Sequence, residues 1–254
     1  MKTVVVKCGG SVLKELSDSF FTSMNSLIED GYQIVFVHGG GPEINAMLEK
    51  MSVESEFKNG LRVTSKEVLE AAELVLSGSM NRKLVRMLED QGIPAIGVQS
   101  SDQGILQADF INQEELGFVG DVTAVNNQVL ELFLHAGLLP VLTPIAKGPG
   151  GTVLNVNADH AAGAAAYALK ADHLLMVTDV PGVLKDGELI PSLTAAETNE
   201  LIDSGVISGG MIPKVNTALK ALQSCEYVHI VSGKKPFYED GKWYGTLFNK
   251  EETK

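Results

Sequence analysis

Two lysines stand where the chain could set positive charge against a ligand. Lys7 ends the first β-branched run directly before Gly9-Gly10, and Lys214 follows Gly209-Gly210 and Met211 by about one helical turn. A third cluster, Gly39-Gly40-Gly41, follows the apolar run Ile34-Val35-Phe36-Val37. Glycine lets a bulky group approach the backbone, and the free N–H groups of a following helix attract anions. Cations beside glycine loops suit the neutralisation of a transferring phosphoryl group, a reaction governed by positioning and electrostatics. Asp159, in Asn155-Val156-Asn157-Ala158-Asp159, opens an Ala-rich stretch that runs to Leu169. Its carboxylate has two compatible roles, capping that helix and orienting the two lysines.

Other site chemistries lack their residues. There is no Gly-x-x-x-x-Gly-Lys-Ser/Thr loop, no Gly-x-Gly-x-x-Gly opening a helix after the first strand, no Gly-x-Ser-x-Gly elbow and no His-Glu-x-x-His pair. Cys8 and Cys225 lie at opposite ends of the chain, outside any Cys-x-x-Cys or Cys/His cluster, and read as half-buried thiols. His38 borders a glycine loop, yet it reads as structural, as do His135, His160, His173 and His229. The formal charge of −12 argues against a general binder of nucleic acid or anionic membrane, so an anionic ligand must meet a few placed cations.

The elements that must position these groups follow from the hydrophobic pattern. At 254 residues, 44% hydrophobic with 26 glycines and only 20% charged residues, the chain suits one large domain or two fused lobes with a real core. Short β-branched runs at 4–6, 34–37, 94–98, 139–142, 173–178 and 227–231 alternate with amphipathic stretches, the pattern of a parallel α/β sheet. Leu13, Leu16, Phe20, Met24, Leu27 and Ile28 recur at threes and fours and predict a helix over 13–30. Further helices are expected at 43–51, 65–76, 80–90, 125–135 and 160–169, and one from about 211. Residues 100–120 are polar without a sustained period and read as loops with a hairpin around 105–119. Lys147-Gly148-Pro149-Gly150-Gly151 is a turn cluster, with a lobe boundary between it and the helix after Asn157. Parallel sheets bind ligands at their carboxyl edge, where such glycine loops fall. The apolar stretch 161–184 is interrupted by Lys170, Asp172 and Asp179, and the opening apolar run is too short for a signal peptide, so a cytoplasmic location is expected.

Five ordered motifs carry a resemblance over essentially the whole chain. Val6-Lys7-Cys8-Gly9-Gly10-Ser11, His38-Gly39-Gly40-Gly41-Pro42, Val156-Asn157-Ala158-Asp159, Thr178-Asp179-Val180-Pro181-Gly182-Val183 and Gly209-Gly210-Met211-Ile212-Pro213-Lys214 resemble the amino acid kinase family. Within it, Lys58-Asn59-Gly60-Leu61-Arg62-Val63-Thr64 and Asn155-Val156-Asn157-Ala158-Asp159 look like signatures of the members that phosphorylate N-acetyl-L-glutamate in arginine biosynthesis.

The resemblance implies a three-layer αβα sandwich with a mainly parallel central sheet. It implies an amino-terminal lobe, approximately 1–170, for the acyl acceptor and dimerisation, and a carboxyl-terminal lobe, approximately 171–254, for nucleotide. Lys7 and Lys214 would stabilise the transferring phosphoryl group, and Asp159 would hold both lysines. Gly40, Gly41, Arg62 and Asn155 would bind the acceptor, with Arg62 on its α-carboxylate. Gly9, Gly10, Asp179, Gly182, Gly209, Gly210 and Met211 would border ATP, whose phosphates would carry Mg2+. The expected assembly is a homodimer insensitive to arginine, because only six residues precede Lys7 where arginine-inhibited relatives carry an extra helix. Kinases of the same fold acting on carrier-linked aminoadipate, glutamate or UMP, and a noncatalytic nucleotide sensor, are the alternatives.

Overall fold

The computed structural model describes residues 2–250; Met1 and residues 251–254, the extreme ends of the two expected lobes, lie outside the described residues. Its centre is an eight-stranded sheet in the order Ser192–Leu193, Thr246–Asn249, Tyr227–Ser232, His173–Thr178, Lys2–Cys8, Tyr32–His38, Leu139–Leu142 and Ala95–Val98. Every neighbouring pair is parallel except Tyr227–Ser232 with Thr246–Asn249. Central strands covered on both faces need continuous apolar runs rather than alternation. Val4, Val5 and Val6 supply one, and all three are fully buried.

Side chains of alternating parity feed two cores, one on each face. Val5, Val35, Leu174 and Ile230 pack on one side with the helices Ala158–Leu169 and Met211–Ala221. Val4, Val6, Phe36 and Leu175 pack on the other with Asp18–Glu29, Gly41–Lys50 and Asn81–Asp90. Helices on both sides of a mostly parallel sheet are the three layers the sequence implies. The pairing register sets Lys7 beside Val37 and Met176, and Cys8 beside His38 and Val177. The functional motifs therefore collect at one carboxyl edge.

Several local expectations need correction. The periodic stretch 13–30 is two helices, Gly10–Leu13 and Asp18–Glu29, because Ser17 caps the second by accepting a hydrogen bond from the Phe20 N–H and donates its own N–H to Gly233. The helices expected at 65–76 and 80–90 are one continuous run, Lys66–Glu73 and Asn81–Asp90 joined by a π-helical segment, Leu74–Met80. The helix expected from 125 starts at Asn127, since Val125 still belongs to a strand. The Ala-rich helix is capped by Asn157, whose Oδ1 accepts from the Asp159 N–H, so Asp159 sits inside the first turn. Both thiols are buried rather than half-buried, Cys8 completely and Cys225 at 4% exposure.

The largest revision concerns residues 100–120. Leu106–Phe110 and Val119–Val125 do pair as an antiparallel hairpin, but they close with Ile145–Lys147 and Val153–Val156 into a small barrel. A bulge at Thr123, which leaves Gln107 opposite Ala124 and Ala108 opposite Val122, interrupts the alternation of the second strand, while the first keeps its own. The barrel closes tightly at Gly120, where a Cβ would stand 2.9 Å from both Ala108 Cβ and Leu154 Cβ.

Candidate functional site

The side expected to take the acceptor is built by the barrel and by a short hairpin, Phe57–Lys58 with Leu61–Arg62. Two backbone bonds fasten the hairpin's exit to the barrel: the Thr64 N–H donates to Leu116, and the Phe118 N–H donates to Thr64, each at 2.8 Å. Gly117 permits this contact; its φ is +69° and a Cβ there would lie 2.2 Å from the Thr64 carbonyl oxygen. Asn155, on the barrel strand, donates through Nδ2 to Thr64 Oγ1 at 3.1 Å, and that hydroxyl donates to the Arg62 carbonyl at 2.8 Å. Asn155 and Arg62 are thus parts of one hydrogen-bonded frame.

Arg62 is only 7% exposed. Its guanidinium lies over the Phe57 ring at 4.6 Å and donates to Ser55 Oγ and, at 3.3 Å, to the Gly41 carbonyl. Burial draws its pKa below the usual value, but a guanidinium remains charged. Among the described residues no carboxylate lies within ion-pair distance of it. A buried cation without a counter-ion is costly unless an anion arrives, so the frame is charged for an anionic ligand. A cavity of about 250 Å³ adjoins it, lined by Lys7, Gly9, Gly10, Gly40, Gly41, Arg62, Leu76, Asn155 and Asp159 among others.

The glycine loops enter this cavity by close backbone packing. A Cβ on Gly10 would stand 2.7 Å from Gly40 Cα, and one on Gly40 would stand 2.9 Å from Leu76 Cδ2. The Gly39 N–H donates to Cys8 at 2.9 Å and ties the two strand ends together. The first N–H groups of the helices at Gly10 and Gly41 have no carbonyl of their own helix within reach.

Lys7 Nζ lies 2.9 Å from Asp159 Oδ1, with side-chain exposures of 18% and 27%. This pair also lines a second cavity of about 180 Å³, with Met176, Thr178, Pro213 and Lys214. The Lys7–Asp159 pair is consequently a wall common to both. Lys214 is at the second cavity too, but its ion pair is with Asp179, at 2.6 Å, and not with Asp159. The hydrogen bond from Lys214 is the main cause holding the Asp179 carboxyl below its ordinary pKa. Gly209, at φ +54°, and Gly210 lead into the helix that carries Met211 and Lys214. Gly182 passes against Thr246, where a Cβ would lie 2.5 Å from the hydroxyl oxygen.

His38 is fully buried, and its pKa falls to about 4 through burial. Asn81 Nδ2 faces Nε2 at 3.4 Å and Nδ1 faces the Gly39 carbonyl at 3.1 Å, which assigns the proton to Nδ1. The ring fixes the glycine loop from behind. Cys8 is likewise no nucleophile: burial pushes its thiol up to about 12. His173 and His229 lie in an aromatic cluster around Trp243, and His160 faces Asp121 at 3.4 Å.

Not legible in the motifs were Leu76 at the cavity and, around the guanidinium, Ser55 and Phe57. Phe57 directly precedes the Lys58–Thr64 motif, which is a usable signal; Ser55 has none.

The model of the amino acid kinase family matches residues 2–232. The chain is 52% identical to the acetylglutamate kinase of Geobacillus kaustophilus (strain HTA426), over 98% of this chain and 97% of that protein. Among solved structures it is similar to smu.665 of Streptococcus mutans UA159, with 34% identity, TM-score 0.83 and coverage of 97% and 98% of the two chains. It shares its fold with a carbamate kinase of Giardia, with 16% identity, TM-score 0.68 and coverage of 98% and 99%.

Proposed function

The chain belongs to the amino acid kinase family, and from that premise we propose that it transfers the γ-phosphoryl group of ATP to the side-chain carboxylate of N-acetyl-L-glutamate, a step of arginine biosynthesis. The observation that carries the acceptor assignment is Arg62, a buried guanidinium without a protein carboxylate, framed by Asn155 and opening on the cavity that Lys7 lines. In this reading Arg62 pairs with the α-carboxylate of the acceptor and Asn155 with its amide end. Gly40 and Gly41 complete the acceptor site.

A carboxylate is already ionised at neutral pH, so the reaction needs no general base. One acceptor oxygen attacks the γ-phosphorus in line, the bond to the bridging oxygen breaks, and ADP leaves with that electron pair. Lys7, held by Asp159, stands between the two cavities and offsets the charge that spreads over the transferring group. Lys214 joins it from the nucleotide side once its exposed bridge to Asp179 opens; such a bridge contributes about 1 kcal/mol or less. Gly9, Gly10, Asp179, Gly182, Gly209, Gly210 and Met211 border the nucleotide. Magnesium enters with ATP as part of the substrate, carried by its phosphates.

We assign acceptor binding and dimerisation to an amino-terminal lobe, approximately residues 1–170, and nucleotide binding to the remainder, in a cytoplasmic homodimer. The strand Ala95–Val98 ends the sheet with one edge unpaired, a surface a second copy can use. Light scattering at twice 27.1 kDa supports the dimer, and a monomer mass removes it. Among the described residues no helix is long and apolar enough to cross a membrane.

Hydroxylamine trapping with magnesium and ATP tests the reaction. Hydroxamate is expected with N-acetylglutamate and not with glutamate, N-acetylaspartate or carbamate. ADP release with UMP alone would overturn the acceptor, and no turnover by protein that still binds ATP would leave a nucleotide sensor.

A further inference from the structure

Glu43 is absent from the machinery above, yet it sits against it. It occupies the first turn of the helix Gly41–Lys50, and both carboxylate oxygens are shut off from solvent without accepting a hydrogen bond. Its Oε2 lies 2.9 Å from where a Gly10 Cβ would stand, beside the contact between Gly10 and Gly40. The cation that faces it is Lys14, with Nζ 2.8 Å from Oε1 in an ion pair that lacks hydrogen-bond alignment. Lys14 follows the short helix Gly10–Leu13 and is 57% exposed. One bridge therefore joins the helix after the first glycine loop to the helix after the second.

The charge arrangement gives this bridge a second consequence. A buried carboxylate next to Gly10 lies on the side where the kinase reading places phosphate oxygens, and unneutralised it would repel them. With Lys14 in place the pair is neutral, and the glycine contact stays closed around it. Without Lys14, Glu43 is an uncompensated buried anion that either opposes the nucleotide or turns toward solvent and draws the first turn of its helix with it.

We propose that Glu43 and Lys14 are positioning residues that set the gap between the two glycine loops and that Lys14 neutralises Glu43 for the incoming nucleotide phosphates. The proposal rests on the kinase function given above, which the unmodified enzyme's turnover tests separately. The experiment measures KM for ATP, KM for N-acetylglutamate, kcat and the thermal midpoint in Lys14→Met, Glu43→Gln, the double variant and Lys14→Arg. Lys14→Met should raise KM for ATP roughly tenfold, with KM for the acceptor moving less than about twofold. Lys14→Arg keeps the charge and should match the unmodified enzyme. The double variant should recover most of the ATP affinity lost in Lys14→Met, because removing the buried charge removes the repulsion.

A purely structural bridge gives a different pattern: each loss lowers the thermal midpoint and the double variant is no better than either single one. The proposal is overturned if Lys14→Met leaves KM for ATP unchanged, or if adding Glu43→Gln to it brings no recovery.

Discussion

The walls that the proposed function assigns to the acceptor and to the nucleotide are constructed in opposite ways. Arg62 and Asn155 are locked into a frame of backbone and side-chain bonds that runs through Thr64 to the barrel, and the guanidinium is nearly buried. Lys214 and Asp179 face solvent, with side-chain exposures of 31% and 60%, beside a left-handed Gly209 and a helix start without a side-chain cap. Groups held in advance lose little freedom when the ligand binds, whereas groups held loosely are ordered by it. Under the proposed function, the acceptor is therefore selected by a finished pocket, and the nucleotide completes its own.

The hinge of this contrast is Lys7, shared by both cavities, and its loss should have the largest effect. Lys7→Ala is expected to reduce kcat by about 10³ while leaving KM for N-acetylglutamate within about threefold; comparable losses in both would move Lys7 to the acceptor frame. Arg62→Ala should raise KM for N-acetylglutamate about 10- to 100-fold, and Arg62→Lys should rescue it poorly because one ammonium cannot match a two-pronged contact. Full rescue by lysine would reduce the frame to a point charge. The two aspartates sharpen the comparison: Asp159→Asn should lower kcat at least about tenfold and Asp179→Asn less than about threefold, since the second pair is exposed. Equal losses would break the asymmetry.

Much of this contrast is written locally. The runs 4–6 and 173–178 are apolar enough to be nothing but buried strands, and the motif 58–64 announces Arg62. The partner of Lys214 is not legible, because whether it meets Asp159 or Asp179 depends on how the helix after Gly210 is set against the sheet. The barrel was half legible. Its hairpin is local, but closure requires 106–110 and 119–125 to meet strands at 145–147 and 153–156, and the bulge at Thr123 hides the period of the second strand. The break at Ser17 escaped for a different reason: Leu13 and Leu16 preserve a helical rhythm across two helices that turn to cover one core.

The smallest effect concerns the support behind the glycine loop. His38 is neutral in the folded protein, with its pKa lowered to about 4 by burial, while in the unfolded chain it titrates near its ordinary value of 6.5. Its contribution is fully present above pH 6.5 and is lost as pH falls, because the unfolded state takes up the proton first. The slope should be about 1.4 kcal/mol per pH unit between those values. The stabilities of the unmodified protein and of His38→Gln, from urea unfolding between pH 7 and pH 4.5, should converge with that slope; parallel curves would mean that His38 takes up its proton as readily in the folded protein as in the unfolded chain.

The central claim is most directly tested by amide hydrogen exchange with and without a non-hydrolysable ATP analogue. Segments 61–66 and 153–158 should exchange slowly in the free protein and change less than about threefold, whereas 205–214 should exchange fast and slow at least about tenfold when nucleotide binds. If the acceptor segments exchange as fast as 205–214 before any ligand is present, or if 205–214 is already protected, the two walls are built alike and the account fails.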